Sequence, residues 1–166
     1  MKKAFTLIEL VIAVSIILMF AGLTIPQYNN FNQEMKLKKN ARQMTSVLEL
    51  ARKKTITSEL IPTPMVTPVT YCTEFQGYRV EVNADSFNLM YGCAGGYTSV
   101  QAYDLEDNIS ITAGTGNIDF SPSTSGISTN VAVETNVTIR NSFSNRCIDV
   151  VISPNGLVTE DSPYSC

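Results

Sequence analysis

The chain of 166 residues contains no histidine and no tryptophan. Without histidine, a serine or cysteine nucleophile would need a lysine or a carboxylate as its base, and no residues here have the spacing of a known arrangement of that kind. The four cysteines include no Cys-x-x-Cys pair, so zinc ligation is not expected either. These absences predict a protein that is not an enzyme and that binds no cofactor or metal.

One stretch is rich in oxygen ligands of the kind that Ca²⁺ prefers, namely Asp104-Leu-Glu106-Asp107-Asn108. It lacks the glycine and the spacing of an EF-hand loop. A solvated acidic turn is therefore favoured over a calcium site for residues 104–108.

Basic residues are scarce in the second part of the chain. Residues 34–54 contain seven basic and two acidic residues, whereas the chain from Thr55 onward contains three basic and twelve acidic residues, a net charge of −9. The sequence therefore predicts a basic stem that carries an acidic head. An acidic head argues against broad nucleic-acid affinity, because phosphate contacts need lysine or arginine.

The four cysteines all lie in the acidic head. An even number of cysteines in an exported domain favours two disulfides over free thiols. Three pairings are open, and we favour Cys72–Cys93 with Cys147–Cys166. Each of these bonds closes a loop of about 20 residues, which is worth roughly 3 kcal/mol in the chain-entropy model.

The N-terminus combines Lys2 and Lys3 with an apolar run from Phe5 to Ile25 in which Glu9 is the one charged residue. A helix of about 21 residues at 1.5 Å per residue would be roughly 30 Å long, enough to cross a bilayer. The two lysines would keep this end cytoplasmic, so the head would face outward. A secretory signal is the rival interpretation, but Glu9 interrupts its apolar region and residues 25–28 offer no cleavage site. A carboxylate in a membrane costs about 2.5–3.5 kcal/mol near the centre, so Glu9 needs a partner.

The residues Ala4-Phe5-Thr6-Leu7-Ile8-Glu9-Leu10 resemble the processing site of the type IV pilin and type II secretion pseudopilin superfamily. The resemblance implies that a prepilin peptidase/N-methyltransferase removes residues 1–4 as a leader by cutting between Ala4 and Phe5, and that the new amine of Phe5 is methylated. It also implies that Glu9 is retained in the membrane for assembly. Ala4 departs from the family pattern, which usually has glycine before the cut.

Gly22 and Pro26 lie four residues apart. Proline has no N–H, so the carbonyl of Gly22 loses its helical partner, and Gly22 adds backbone freedom. We expect the helix to kink or melt here. In the pilins that this chain resembles, a proline near this place marks a segment that unwinds during filament assembly, whereas a kink at the membrane interface is the alternative.

Residues 27–60 have the pattern of an amphipathic helix, with apolar residues at three- and four-residue steps. The expected apolar face consists of Tyr28, Phe31, Met35, Met44, Leu48 and Ala51. For the basic residues off that face, a solvated surface or a contact with acidic heads of neighbouring subunits is favoured over a nucleic-acid or anionic-lipid patch. Residues 46–57 resemble the end of the long helix in minor pilins and pseudopilins of the GspH/FimT type.

Three prolines at positions 62, 64 and 68 predict an extended connector over residues 61–69 and the start of the head at residue 70. Beyond it, alternating apolar and polar residues predict short strands. The expected pairs of inward residues are Tyr78/Val80/Val82 with Phe87/Leu89/Tyr91 in a hairpin, followed by Ile109/Ile111, Ile118/Phe120, Val131/Val133, Val137/Ile139 and Ile148/Val150/Ile152. The Ser/Thr cluster 121–129 is expected to be a polar loop, and Asn155-Gly156 a turn into residues 157–159.

These patterns and the resemblance together predict an α+β, pilin-like fold in which a long N-terminal helix packs on a head of antiparallel strands. The expected function is that of a minor pilin or pseudopilin in the bacterial inner membrane, assembling with other subunits through residues 5–60 in a type IV pilus or type II secretion filament. The alternative is a FimT-like tip subunit that binds DNA for uptake or adheres to a surface. In that case Arg140 and Arg146 are the candidate phosphate contacts.

Overall fold

The computed structural model describes residues 6–58, 72, 74–123 and 126–166, and the side chains of residues 21–27 and 126 lie outside the description. Within these described residues, one helix precedes ten strands. The elements are α1 (Leu7–Thr57), β1 (Gly77–Val82), β2 (Ser86–Cys93), β3 (Gly96–Asp104), β4 (Ile109–Ala113), β5 (Gly116–Ser123), β6 (Gly126–Thr129), β7 (Thr135–Asn141), β8 (Arg146–Ile152), β9 (Val158–Glu160) and β10 (Tyr164–Ser165).

Helix α1 has defined residues at both ends. The side chain of Thr6 caps the first turn, and Ser58 ends the helix in a left-handed conformation with φ of 49°. The helix runs without a break through Gly22 and Pro26. Melting at these two positions during assembly stays a prediction.

The head consists of two antiparallel sheets. The first has the strand order β3-β2-β1-β5-β6, and the second has the order β10-β8-β7-β4, with β9 paired to the same edge of β8 as β10, near the end of β8. The inner faces of both sheets pack against the C-terminal half of α1, and they share one core. The predicted α+β class, with a helix packed on antiparallel strands, is therefore confirmed.

The apolar face of α1 differs from the expected one. Met44, Leu48 and Ala51 are fully buried against the head, as predicted, together with Leu37, Ala41 and Val47. Tyr28, Phe31 and Met35 are exposed, at 69%, 64% and 46%. Nine residues separate Met35 from Met44, and at about 100° per residue this places the two on opposite sides of the helix. The stripe that looked continuous is therefore two apolar stripes on opposite faces.

Most of the expected strands are present. The hairpin of β1 and β2 pairs Val80 with Leu89 and Val82 with Phe87, and the other confirmed strands are β4, β5, β7 and β8. The Asn155-Gly156 turn also forms, with Gly156 at φ +78° and its N–H bonded to the carbonyl of Ser153.

Two of the predictions for the head are wrong. Val131 and Val133 lie in the connection between β6 and β7, and Val133 is 71% exposed. This connection crosses from the first sheet to the second, and Val131 and Val133 belong to the strands of neither. The expected loop over residues 121–129 is mostly a hairpin, since Ser121 and Pro122 in β5 pair with Ser128 and Ile127 in β6.

The disulfides are Cys72–Cys93 and Cys147–Cys166, the pairing that loop length favoured. The first ties Cys72 to the end of β2, and the second ties the last residue to β8. The expected connector over residues 61–69 lies outside the described residues.

Candidate functional site: an exposed helix and its junction with the head

The first turns of α1 form the largest exposed apolar surface of the described chain. Its large apolar residues are 46% to 81% exposed, and they are Leu7, Ile8, Leu10, Val11, Ile12, Val14, Ile16, Ile17, Leu18, Met19 and Phe20. Soluble monomers rarely expose contiguous apolar patches of more than a few hundred Å². This part of the helix is therefore built to be covered by something other than its own head.

Glu9 lies at the start of this surface and closes a capping box with Thr6. The Glu9 carboxylate accepts hydrogen bonds from the backbone N–H of Thr6 at 2.9 Å and from its hydroxyl at 2.8 Å. The Glu9 N–H in turn donates to the Thr6 hydroxyl at 3.4 Å. Thus the Glu9 carboxylate is held at the N-terminus of the helix by Thr6, the residue next to the expected new N-terminal residue Phe5. Ala4 and Phe5 themselves lie outside the described residues.

Two buried polar side chains fix α1 on the head. Asn141, at the end of β7, donates from Nδ2 to the carbonyl of Gln33 at 3.1 Å and to its Oε1 at 3.2 Å. At the other end, the hydroxyl of Thr55 lies 3.2 Å from the carbonyl of Phe120 and accepts from the N–H of Tyr78 at 3.3 Å. These contacts are more than 20 residues apart along the helix, so its direction relative to both sheets is defined.

The acidic stretch 104–108 provides a third attachment. Glu106 forms ion pairs with Lys39 at 2.6 Å and with Lys36 at 3.9 Å, and its N–H donates to Oδ1 of Asn40 at 3.4 Å. Among the described residues, no group of three or more acidic, histidine or cysteine side chains could hold a metal ion. The stretch is thus more than a solvated turn, because Glu106 joins the connection between β3 and β4 to the helix.

The remaining cations of the stem include two pairs within the helix itself. Lys38 pairs with Glu34 at 2.7 Å, and Lys53 pairs with Glu49 at 3.9 Å. The hydrogen bond from Lys38 lowers the pKa of Glu34. Between Asn32 and Arg42 an open groove of about 520 Å³ runs along the helix, lined by Asn32, Met35, Lys36, Lys38, Lys39, Arg42 and Glu106.

The two candidate DNA contacts are not brought together. Arg146 pairs in register with Asn141, whose side chain reaches α1, so Arg146 lies on the inner side of the second sheet. Arg140 pairs with Cys147 and lies on the outer side. Each arginine also has a partner in the head, since Arg140 donates to Asn145 at 2.7 Å and Arg146 to the carbonyl of Pro163 at 2.9 Å.

The sequence did not predict a cluster in the head that consists of Arg79, Asp119 and Tyr97. On the outer face of the first sheet, Arg79 binds both carboxylate oxygens of Asp119 and stacks 3.6 Å from the ring centre of Tyr97. The carboxylate of Asp119 raises the pKa of Arg79. The three residues lie on three different strands, so only the register of the sheet brings them together.

The fold defines a class: an N-terminal helix packed on a head of antiparallel strands is consistent with a pilin-like protein. Residues 1–25 match the family model of the prokaryotic N-terminal methylation motif, which is a type IV pilin-like leader. No curated protein and no solved structure matches the chain at a significant level. Among the described residues, no helix combines the length and the apolarity that crossing a membrane requires. The motif supports a type IV pilin-like or pseudopilin subunit that a prepilin peptidase processes and that assembles with other subunits.

Proposed function

We propose that the protein is a minor pilin or pseudopilin, a non-catalytic subunit of a type IV pilus or type II secretion filament. Residues 5–26 anchor it in the bacterial inner membrane, with the disulfide-bonded head outside. After removal of residues 1–4, residues 5–60 join it to other subunits. The observation that carries this proposal is the methylation motif at residues 1–25, together with the apolar helical surface within it, from Leu7 to Phe20, that the head leaves uncovered.

The exposed helix and the attached half of α1 have separate tasks in this proposal. The half from Leu37 to Thr55 packs one face against the head and is held there by Asn141, Thr55 and Glu106. The half from Leu7 to Phe20 has no such cover, and burial of its side chains against lipid or against other helices is favourable by roughly 25 cal/mol per Å². The lipid that covers these side chains is the bilayer before assembly, and the other helices cover them in the filament interior after assembly.

In this proposal Glu9 forms an ion pair that favours transfer of the helix from the bilayer to the filament interior. An N-terminal amine at Phe5 would be adjacent in sequence to Thr6, whose N–H already binds the Glu9 carboxylate. An ion pair between Glu9 and that amine, on its own or a neighbouring subunit, gains strength in a low-dielectric helix bundle. Loss of one partner would leave the other charge buried and unpaired, which costs several kcal/mol.

The DNA-binding or adhesive alternative lacks a comparable observation. Arg140 and Arg146 lie on opposite sides of the second sheet, so they offer no shared surface for a phosphate backbone. The twelve acidic residues from Thr55 onward would repel one. A structural role in the filament is therefore the better-supported function.

The test uses three variants of the full chain expressed in a bacterium that assembles such filaments. Glu9→Ala is expected to be cleaved at Phe5 and bound to the membrane but absent from sheared filaments. Glu9→Gln keeps an oxygen acceptor for the capping box but removes the charge, so it should also be absent. Glu49→Ala, which removes an exposed carboxylate farther along the same helix, should assemble normally.

Each outcome has a distinct meaning. The N-terminus is read by mass spectrometry, and incorporation by immunoblot of the sheared fraction. If Glu9→Gln assembles as the wild type does, the ion pair is wrong and capping is the role of Glu9. A wild-type chain that keeps Met1 and never enters sheared filaments would overturn the proposed function itself.

A further inference from the structure

The face of α1 opposite the head carries a graded set of side chains between Tyr28 and Arg42. Taking about 100° per residue, Tyr28, Phe31 and Met35 share this face with Lys38, Lys39 and Arg42. The apolar members come first along the chain and the basic members follow. Leu37, Asn40 and Ala41, which point to the head, are buried and lie on the other side.

Positive charge remains on this face after the pairs within the chain are counted. The groove is lined by four cations, Lys36, Lys38, Lys39 and Arg42, and by one carboxylate, Glu106. Glu34 adds one further negative charge through its pair with Lys38, which leaves a net charge of +2. Asp104 and Asp107, the acidic neighbours of Glu106, do not line the groove. The surface is thus suited to an anion that also meets apolar side chains.

We propose that this face binds the anionic headgroups of phospholipids while the subunit is anchored and not yet assembled, an inference that rests on the proposed function. Tyr28 lies about 4.5 Å along the helix from Ile25, the end of the apolar run, and Phe31 about 9 Å. The headgroup layer is about 5–8 Å thick on each side of a bilayer, so the Tyr28 ring lies at the depth where tyrosine is enriched, and Phe31 lies at the outer edge of that layer.

The cations lie farther along the helix than the headgroup layer, and they come within electrostatic range of it when the helix tilts toward the bilayer. Lys36 and Lys39 are about 16.5 and 21 Å along the axis from Ile25, and helical side chains lean back toward the N-terminus, which is the membrane side. Membrane helices are tilted by about 20° on average and by up to about 40°, and a tilt toward the bilayer brings this face closer to the headgroups. Screening at physiological salt acts over about 8 Å beyond the headgroups. The continuity of the face with the membrane anchor, together with its charge, therefore favours lipid over a free anion.

The absence of tryptophan makes a direct experiment practicable. Met35→Trp, placed in the groove, gives the full-length chain a single tryptophan, and a phospholipid with a nitroxide on its headgroup quenches it on contact. The chain is reconstituted at one copy per nanodisc, in discs of phosphatidylcholine with or without phosphatidylglycerol. We expect stronger quenching in the anionic discs, and we expect added salt to reverse it.

Two lysines of the helix provide a matched pair of variants. Lys38 and Lys53 each pair with a glutamate four residues earlier, but they lie about 22 Å apart along the axis. Lys38→Gln, and independently Arg42→Gln, should each lower the ratio of lipid-bound to unbound helix face by up to about fivefold, because one cation near an anionic surface contributes on the order of 1 kcal/mol and less at a greater distance. Lys53→Gln should leave the quenching unchanged.

Four results would overturn the inference. Equal quenching in neutral and anionic discs excludes headgroup recognition, and an equal effect of Lys53→Gln shows only a response to net charge. Quenching that needs two or more copies in a disc assigns the face to a second copy of the chain instead. A chain that does not enter nanodiscs at all refutes the membrane anchor, and with it the proposed function rather than the headgroup site alone.

Discussion

Asn141 is the polar residue whose removal should most disturb the junction of helix and head. Its side chain is fully buried and makes four hydrogen bonds. Nδ2 donates to the carbonyl and to Oε1 of Gln33, and Oδ1 accepts from the N–H groups of Phe143 and Ser144 at 2.9 and 3.0 Å. It therefore fixes both the helix and the turn between β7 and β8.

The substitution Asn141→Ala leaves the two N–H groups of that turn and the Gln33 carbonyl without this partner. A buried group that loses its hydrogen bond costs about 1–3 kcal/mol, although the turn can regain water, so we expect a total loss of about 3 kcal/mol in the free energy of unfolding. For a domain of this size that corresponds to a fall in Tm of roughly 6–12 °C. Urea unfolding followed by circular dichroism measures it.

Two further variants separate the contributions. Gln33→Ala removes only the Oε1 contact and should cost about 1 kcal/mol or less. Asn88→Ala, which removes an exposed hydrogen bond with Ser99, should change stability by less than about 0.5 kcal/mol. An Asn141→Ala protein as stable as Asn88→Ala would show that the junction is held by apolar packing alone.

Two other predictions concern backbone space and pH. Gly77 has φ of +115°, and a Cβ there would lie 2.0 Å from the carbonyl oxygen of Phe120, so Gly77→Ala should destabilise the fold by more than about 2 kcal/mol. Gly95→Ala is the control, because a Cβ at Gly95 would meet no atom within 4 Å. Equal denaturation midpoints for the two variants would contradict this reasoning. Partial burial and, to a lesser extent, the hydrogen bond to Asp149 raise the pKa of Tyr164. The neutral phenol therefore stabilises the fold at pH values below the ordinary tyrosine pKa of about 10, and this contribution is lost as the pH rises through the higher pKa of the folded state. The difference in stability between wild type and Tyr164→Phe should shrink over that range, and a constant difference would refute this assignment.

Local patterns in the sequence were sufficient for much of the head. Strict alternation predicted β1, β2, β7 and β8, because each has one face on the core and one on solvent. The same rule missed β3, since the register between β2 and β3 shifts at Leu89/Met90 and leaves Val100 as an extra residue. The extra residue breaks the alternation, so Tyr97 lies over Arg79 on the outer face and Tyr103 stacks on Phe87 on the inner side.

The candidate site was predictable only where its residues are close in sequence. The motif around Glu9 and the apolar run need no tertiary information, and both were predicted. Arg79, Asp119 and Tyr97 could not be grouped, because they meet only through the pairing of three strands.

The charges of the stem also depend on contacts between residues that are distant in sequence. From sequence, the seven basic and two acidic residues of 34–54 read as a free positive surface. In the fold, Glu106 approaches from 67 residues away and binds Lys39, with Lys36 beside it, so part of the positive charge is used to attach the head to its own helix. Among the described residues, Lys38 and Arg42 share the outer face with Lys39, but neither forms an ion pair with the head. The surface available to a lipid or to another subunit is decided by where the connection between β3 and β4 crosses the helix, and composition alone does not contain that information.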